Sequence, residues 1–105
     1  MYAVIFRARI GDLDEQYDRT ARRMRELAME HYGCREFTSV TENDTEISIS
    51  WWESEEQIRA WKNDPEHLQA QQLGREMWYQ SYSVQVLEVL RTYDSNPASE
   101  QTDRL

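Results

Sequence analysis

The side chains best suited to chemistry lie in one segment, residues 51–82, which holds all four tryptophans of the 105-residue chain and one of its two histidines. His67 is the strongest candidate for a general base, because histidine has an unperturbed pKa of about 6.5, near neutral pH. Trp61 lies shortly before it and offers an aromatic wall that excludes water. The pair indicates a site that takes a proton from an aromatic ligand.

One predicted helical face carries much of this segment. Five residues after Pro65 recur at spacings of three, four and seven: His67, Ala70, Gln71, Gly74 and Trp78. On this face Ala70 and Gly74 leave space, and His67, Gln71 and Trp78 line that space with polar and aromatic groups. Such a mixture of side chains is typical of a ligand pocket. The structural alternative is that Gly74 permits close packing of helix on sheet and that His67 is a satisfied histidine. The residues alone leave both interpretations open.

Further side chains complete the predicted substrate-binding set through hydroxyl, amide, guanidinium and aromatic groups. The set is Trp52, Gln71, Arg75, Trp78, Tyr79 and Tyr82. Each has an ordinary structural alternative, since buried tyrosines often bond a backbone carbonyl and arginines in a chain with 20 acidic residues are commonly ion-paired. No His, Cys and carboxylate cluster has metal spacing and no glycine-rich phosphate loop occurs, so we expect neither a metal nor a cofactor.

The elements that must position these residues follow from changes of period along the chain. Alternating or β-branched runs predict strands over 2–10, 34–42, 45–53 and about 81–93. Helical spacing lies between the first and second strands and again, in two pieces, between the third and fourth. The predicted order is strand, helix, strand, strand, broken helix, strand.

Capping residues mark the ends of the predicted helices. Asp12 and Glu15 are spaced as an N-terminal cap and its reciprocal partner, and Gly33 ends that first helix. A second capping box at Ser54 opens a short helix. Pro65 restarts it, because proline suits a first helical position and biases the residue before it away from helix.

This order is that of the ferredoxin-like split β-α-β-β-α-β fold, an α+β fold with a four-stranded antiparallel sheet and both helices on one face. Residues 1–93 are predicted to form this single domain. Residues 94–105 have no period and no apolar anchor before the last residue, so we predict a disordered tail. Apolar side chains on the open sheet face would be costly in water, which predicts a homodimer through that face.

The composition of the chain restricts the classes of molecule that we expect it to bind. With 39% hydrophobic residues the chain can bury a core, and a formal net charge of −8 disfavours nucleic acid and anionic membranes. No apolar window is long enough to span a bilayer, and the N-terminus lacks the features of a signal peptide. The single cysteine, Cys34, cannot form an internal disulfide and fits a reducing compartment. We therefore expect a cytoplasmic protein whose partners are small molecules or proteins.

Two runs carry a family resemblance, "SWWESEEQIRAWKNDPEH" and "GREMWYQSYSVQVLEVLR". They combine a strand that ends in aromatic-Trp-Glu-Ser, an acidic helix start, a Trp in that helix and a Tyr-rich last strand. Over residues 2–93 the chain resembles the antibiotic biosynthesis monooxygenase domain, a branch of the dimeric α/β barrel superfamily. The resemblance implies a dimer whose two sheets close into a barrel, with a pocket in each subunit between sheet and helices.

The family includes cofactor-independent oxygenases that turn electron-rich phenols into quinones, and haem-degrading oxygenases. The haem-degrading branch uses an Asn in the first strand, a Trp in the second helix and a His about three turns later. Trp61 matches the Trp, but the first strand reads Phe6-Arg7-Ala8 and Gln71 stands where the His belongs, which argues against haem. The resemblance implies a cofactor-independent monooxygenase acting on a small aromatic or phenolic compound. The alternative is a non-catalytic module with the same barrel fold that binds a small ligand or a partner.

Overall fold

The computed structural model describes residues 1–95 and consists of four strands, three α-helices and one π-helical turn. In chain order the elements are β1 (Tyr2–Ile10), α1 (Glu15–His31), β2 (Glu36–Glu42), β3 (Thr45–Trp52), α2 (Glu55–Lys62), α3 (Pro65–Leu73), the π turn (Gly74–Trp78) and β4 (Tyr79–Glu88). This is the predicted element order, with the second helical region divided into consecutive pieces.

The strands form one antiparallel sheet in the order β2-β3-β1-β4. Phe6 is paired with Ser48 on one side and with Val84 on the other, so these three side chains point to the same face. Both central strands, β1 and β3, are therefore fixed in register along most of their length. The predicted ferredoxin-like α+β fold is confirmed.

Helix α1 begins and ends at identifiable caps. Asp14 is the N-cap, and its carboxylate accepts hydrogen bonds from the backbone N–H groups of Gln16 and Tyr17. The predicted capping pair at Asp12 and Glu15 is therefore wrong by two residues, since Glu15 is already the first helical residue. The predicted end is confirmed: Gly33 follows the helix with φ +82°, a left-handed conformation that costs glycine little.

Helices α2 and α3 are separate because each has its own cap. The predicted capping box is present, with Ser54 and Gln57 bonding reciprocally at the start of α2. Asp64 then caps α3 by accepting from the backbone N–H of Glu66, and Pro65 occupies the first turn. Tyr32, just after α1, donates to the Asp64 carboxylate at 2.6 Å and ties the junction to α1.

The core lies between the sheet and the helices. It contains Val4, Leu27, Ala28, Cys34, Trp52, Ile58 and Trp61, all buried. These residues come from β1, α1, β3 and α2, with Cys34 from the connection between α1 and β2, so the helices cover one face of the sheet, as predicted. No helix within residues 1–95 is long and apolar enough to cross a membrane.

The opposite sheet face carries apolar side chains that no helix of residues 1–95 covers. Ile5 pairs with Ile49 across the two central strands, and Ile47 and Trp51 share their face by alternation. Val40 on the edge strand is 58% exposed. This open face is the surface through which the sequence predicts a homodimer.

Strand ends differ from the predicted ones for reasons of pairing. The last strand was expected over about 81–93 and spans Tyr79–Glu88, because β4 pairs with β1 and Glu88 is already opposite Tyr2. One further bond runs from the Val89 N–H to the Met1 carbonyl at 2.9 Å. The predicted disordered tail at 94–105 falls for the most part outside the described residues.

Candidate functional site

A cavity of about 230 Å³ lies between the sheet and the helices. Its floor is formed by the helix-facing side chains of all four strands, and α1, the end of α2 and α3 form its roof. The floor includes Val4, Phe6, Phe37, Glu46, Ser48 and Ser50, and the roof includes Tyr17, Ala21, Met24, Trp61, His67 and Gln71.

Strand β3 gives the cavity its long axis. Glu46, Ser48 and Ser50 alternate along the strand and all line the cavity. At about 3.3 Å per residue, Glu46 and Ser50 lie about 13 Å apart along the strand. The cavity therefore has two ends with different chemistry, a glutamate end at Glu46 and a tryptophan end beyond Ser50.

At the tryptophan end, Trp61 is held by packing and by one hydrogen bond. Its ring lies 5.2 Å from that of Trp52 and packs edge-on against Phe37 at 6.1 Å. The indole N–H donates to the Met24 carbonyl at 3.0 Å, across to α1. Trp61 thus presents a fixed aromatic wall, because both its ring and its polar atom are already satisfied.

His67 stands edge-on to Trp61 with ring centroids 4.3 Å apart. The Gln71 amide nitrogen lies 3.0 Å from His67 Nδ1 and 3.4 Å from the Lys62 carbonyl oxygen. A carbonyl oxygen only accepts, so that nitrogen is a donor and Nδ1 of the neutral ring accepts from it. The proton of the neutral His67 ring is then on Nε2.

Burial lowers the pKa of His67 from 6.5 to about 4. The nearby Lys62 ammonium also disfavours the imidazolium. At neutral pH the side chain is uncharged, its acceptor nitrogen is occupied by Gln71, and its remaining polar function is an N–H donor. The general-base role predicted for His67 stays a prediction, and these two features weigh against it.

At the glutamate end, two tyrosines converge on one carboxylate. Tyr17 on α1 donates a short hydrogen bond to Glu46 Oε2, and the Tyr79 hydroxyl lies 3.4 Å from the same oxygen and 3.4 Å from the Tyr17 hydroxyl. The three residues come from α1, β3 and the start of β4. Their side chains all line the cavity.

The tyrosines of this cluster are held in their protonated form. Burial, with the hydrogen bond to Glu46, raises the pKa of Tyr17 far above its ordinary value. Burial likewise raises the pKa of Tyr79 to about 12. Both hydroxyls are therefore donors at neutral pH, and Glu46 is the group that accepts.

The side of the cavity along β4 is an aromatic wall that is partly open to solvent. Phe6 lies 5.3 Å from Tyr79 and stacks on Tyr82 at 5.9 Å. Tyr82 and Val84 line the cavity and are 41% and 38% exposed. The cavity is therefore open to solvent along this edge.

Five of the eight predicted site residues meet at the cavity. Trp61, His67, Gln71, Tyr79 and Tyr82 line it. The structure does not bring Trp52, Trp78 and Arg75 into the lining. Trp52 is fully buried beneath it and donates to Ser50 Oγ at 2.8 Å, and Arg75 is exposed.

The π turn explains why the predicted helical face stops short. A π-helix has more residues per turn than an α-helix, so the 3.6-residue period fails after Leu73. Trp78 is rotated away and donates to the Asp14 carboxylate at 3.2 Å, with its ring edge-on to Tyr17 at 5.2 Å. Gly74 packs against the Tyr79 ring, where an added Cβ would lie 2.8 Å away.

Tyr17 and Glu46 line the cavity and were not among the predicted site residues. For Glu46 a signal existed, because it is the one charged residue on the β3 face that continues through Ser48, Ser50 and Trp52. Tyr17 matched the pattern of a core position on α1, and its partner is 29 residues away in sequence. Within residues 1–95, no group of three His, Cys or carboxylate side chains could hold a metal ion.

A four-stranded sheet covered by helices on one face, with a cavity between the two layers, defines a class of protein fold. Comparison of the sequence with known families shows which family of this class the chain belongs to. The family model for antibiotic biosynthesis monooxygenase matches residues 1–73. The chain therefore belongs to the antibiotic biosynthesis monooxygenase family. It is also 41% identical over 91 residues to the uncharacterised protein YqjZ of Bacillus subtilis (strain 168), covering 86% of this chain and 80% of that protein.

Solved structures share the fold at low sequence identity. Rv0793 from Mycobacterium tuberculosis superposes with a TM-score of 0.75 at 18% identity, covering 89% of this chain and 98% of that one. SnoaB, a cofactor-independent oxygenase from Streptomyces nogalater, superposes with a TM-score of 0.72 at 14% identity, covering 87% and 94%. These similarities establish the fold.

Proposed function

We propose that this protein is a cofactor-independent monooxygenase that oxidises a small phenol to a quinone with molecular oxygen. One observation carries the proposal: the same cavity joins a fixed aromatic wall at Trp61 to a polar end at Glu46. That combination suits a ring that bears a hydroxyl group.

The size of the cavity sets the size of the ligand. An engineered cavity of about 150 Å³ binds benzene, and this one has a volume of about 230 Å³. One aromatic ring fits with space to spare, and two fused rings fit with the help of the open side along β4. The proposed substrate is therefore a one- or two-ring phenol.

In this proposal, different lining residues contact different parts of the substrate. Trp61 supplies the apolar surface on which the ring lies and excludes water from that end. His67 and Gln71 stand beside it with polar atoms that orient a substituent, and Tyr79 and Tyr82 border the opposite part of the cavity. Trp52, Trp78 and Arg75 support these residues or lie at the surface, and the proposal gives them no substrate contact.

The reaction needs only the phenol, oxygen and a group that takes a proton. The deprotonated phenol gives one electron to O₂, and the phenoxyl radical and superoxide that result combine to form a carbon–oxygen bond. The ring carbon that bears the peroxide then loses its hydrogen as a proton while the O–O bond breaks. One oxygen stays on the ring as a carbonyl, and the other leaves as hydroxide, which becomes water with a proton, so that the two hydrogens of the water are those lost from the phenol hydroxyl and from the ring carbon. The sum is one phenol plus one O₂ giving one quinone plus one H₂O.

We extend the proposal to a homodimer that forms through the open sheet face. The support is the row of apolar residues on that face, including Ile5, Ile47, Ile49 and Trp51, which would be shielded by a second copy. Replacing Ile49 by Asp should convert a dimer into a monomer in sedimentation-velocity ultracentrifugation. A monomeric wild-type protein at micromolar concentration would contradict the proposed dimer, as would an Ile49→Asp protein that remains dimeric.

We also propose that the protein is cytoplasmic.

An oxygen-electrode assay with a panel of electron-rich one- and two-ring phenols tests the activity. We expect one O₂ consumed for each quinone formed, detected by its absorbance. Trp61→Phe and His67→Asn should reduce kcat/KM, because the first shrinks the aromatic wall and the second alters the polar group beside it. Phenols that bind, as shown by quenching of tryptophan fluorescence, without any oxygen uptake would contradict the proposal.

The second candidate is a non-catalytic module that binds a small aromatic ligand in the same cavity. It is favoured by the hydrogen bond from Gln71 to His67 Nδ1, which occupies the acceptor that a histidine base would need. The same assay separates the two candidates, because the module predicts binding and no turnover for every phenol in the panel.

A further inference from the structure

We infer that Glu46 is the residue that accepts the proton of the substrate hydroxyl, with Tyr17 as the positioning residue that holds its carboxylate. The inference deepens the proposed function and rests on it for the kind of ligand. It assigns the chemistry to the glutamate end of the cavity, away from His67.

The geometry leaves Glu46 with free acceptor capacity. A carboxylate has two oxygens and accepts about four hydrogen bonds. The hydroxyls of Tyr17 and Tyr79 both use Oε2, and Oε1 has no hydrogen-bond partner among residues 1–95. A phenol that lies along β3 between Trp61 and Glu46 can direct its hydroxyl toward this oxygen.

Charge balance favours Glu46 over His67 as acceptor. In the proposed step the phenol O–H bond breaks and a new O–H bond forms on Glu46, so the negative charge moves from the carboxylate to the phenolate oxygen. The number of charges in the cavity stays the same. A neutral His67 would instead become a cation beside a new anion, and burial at the tryptophan end opposes that cation.

The groups around Glu46 stabilise the phenolate once it forms. The titratable side chains that line the cavity are Tyr17, Glu46, Lys62, His67, Tyr79 and Tyr82. Tyr79 remains protonated at neutral pH and can donate to a phenolate oxygen beside Glu46. Lys62, the one cation among the lining residues of the described chain, lies near His67 at the tryptophan end. The ligand class is therefore a phenol without a carboxylate, because a second anion would be repelled by Glu46.

Binding of 4-nitrophenol tests the inference without turnover, because this phenol is electron-poor and its anion has a distinct visible absorbance. We expect the wild-type protein to bind the neutral form at least about tenfold more tightly than the anion, since the charge-assisted hydrogen bond to Glu46 needs the proton. Above the pH at which the free probe ionises, calorimetry in two buffers should show uptake of about one proton per complex.

Three variants locate the acceptor. Glu46→Gln should lose the preference for the neutral probe and the proton uptake, and His67→Asn should keep both. Glu42→Gln removes an exposed carboxylate from the same hairpin and should behave as wild type. Circular dichroism checks that each variant is folded.

Several results would overturn the assignment: no binding of the probe, no proton uptake by the wild type, a Glu46→Gln protein that keeps the preference, or a His67→Asn protein that loses it. If Glu46→Gln does not fold, proton uptake by His67→Asn decides, since that variant has lost the competing acceptor. The proposed oxygenase activity is tested separately, by oxygen uptake. Binding with the expected signature but no oxygen uptake from electron-rich phenols refutes only the oxygenase, and equal oxygen uptake by wild type and Glu46→Gln refutes only the assignment.

Discussion

Removing the imidazole of His67 should change how the stability of this protein depends on pH. Burial holds the pKa of His67 at about 4 in the folded protein, against 6.5 for the unperturbed group. Between these values the unfolded chain binds a proton that the folded protein does not. The stability linked to the neutral imidazole is therefore fully present above pH 6.5, and it is lost as the pH falls from 6.5 to about 4.

The size of the effect follows from the two pKa values. Each pKa unit corresponds to about 1.4 kcal/mol, so the wild type should lose about 3 kcal/mol of unfolding free energy from this residue across that interval. His67→Asn removes the titrating group and keeps a side-chain oxygen that can accept from Gln71. The difference in unfolding free energy between wild type and variant should thus move by about 3 kcal/mol in favour of the variant on acidification.

Urea unfolding followed by tryptophan fluorescence, repeated at several pH values from neutral down to about 4, measures this difference. Other acidic groups titrate in both proteins, and the comparison removes their contribution to first order. His31→Asn, which removes an exposed histidine at the end of α1, serves as the matched control and should follow the wild type. A difference between wild type and His67→Asn that is flat with pH would show that burial does not keep this imidazole neutral.

Three further substitutions probe the supports of the site. Gly74→Ala places a Cβ 2.8 Å from the Tyr79 ring, and thermal unfolding should show a loss of about 1–3 kcal/mol with weaker binding of 4-nitrophenol. Gly33→Ala, at φ +82°, should cost about 1–2 kcal/mol in urea unfolding and leave probe binding unchanged. Tyr17→Phe removes the donor to Glu46 and should cost about 1.5 kcal/mol or more in the same assay; an unchanged midpoint would mean that this hydrogen bond adds nothing net.

The fold was predictable because its signals are local. Alternation along β1 and β3, the capping box at Ser54 and the proline at 65 each act within a few residues, and together they specify the element order. The cap of α1 was misplaced because Asp12 and Asp14 both precede the helix. Only the three-dimensional path of the chain decides which carboxylate meets the free N–H groups.

The candidate site was predictable where it repeats with a helical period on α3 and at the aromatic residues Trp61, Tyr79 and Tyr82. His67 and Gln71 lie one turn apart on α3 and were found by that spacing. Trp78 was misassigned because the π turn changes the period in the residues just before it, and nothing in the stretch Gly74–Trp78 announces an extra residue per turn. The glutamate end has no period at all, since it joins Tyr17, Glu46 and Tyr79 across long sequence separations.

The two ends of the cavity impose opposite conditions on a ligand, and this restricts how it can bind. At the tryptophan end, burial keeps His67 uncharged and Trp61 presents its ring, so that end accepts apolar surface. At the glutamate end, a carboxylate already holds two donors and has capacity for more, so that end requires a hydrogen-bond donor. A ring with a hydroxyl group meets both conditions in one orientation only. For the proposed phenol, the cavity therefore selects the direction of the ligand before any chemistry occurs, with the hydroxyl group toward Glu46 and the apolar part of the ring toward Trp61.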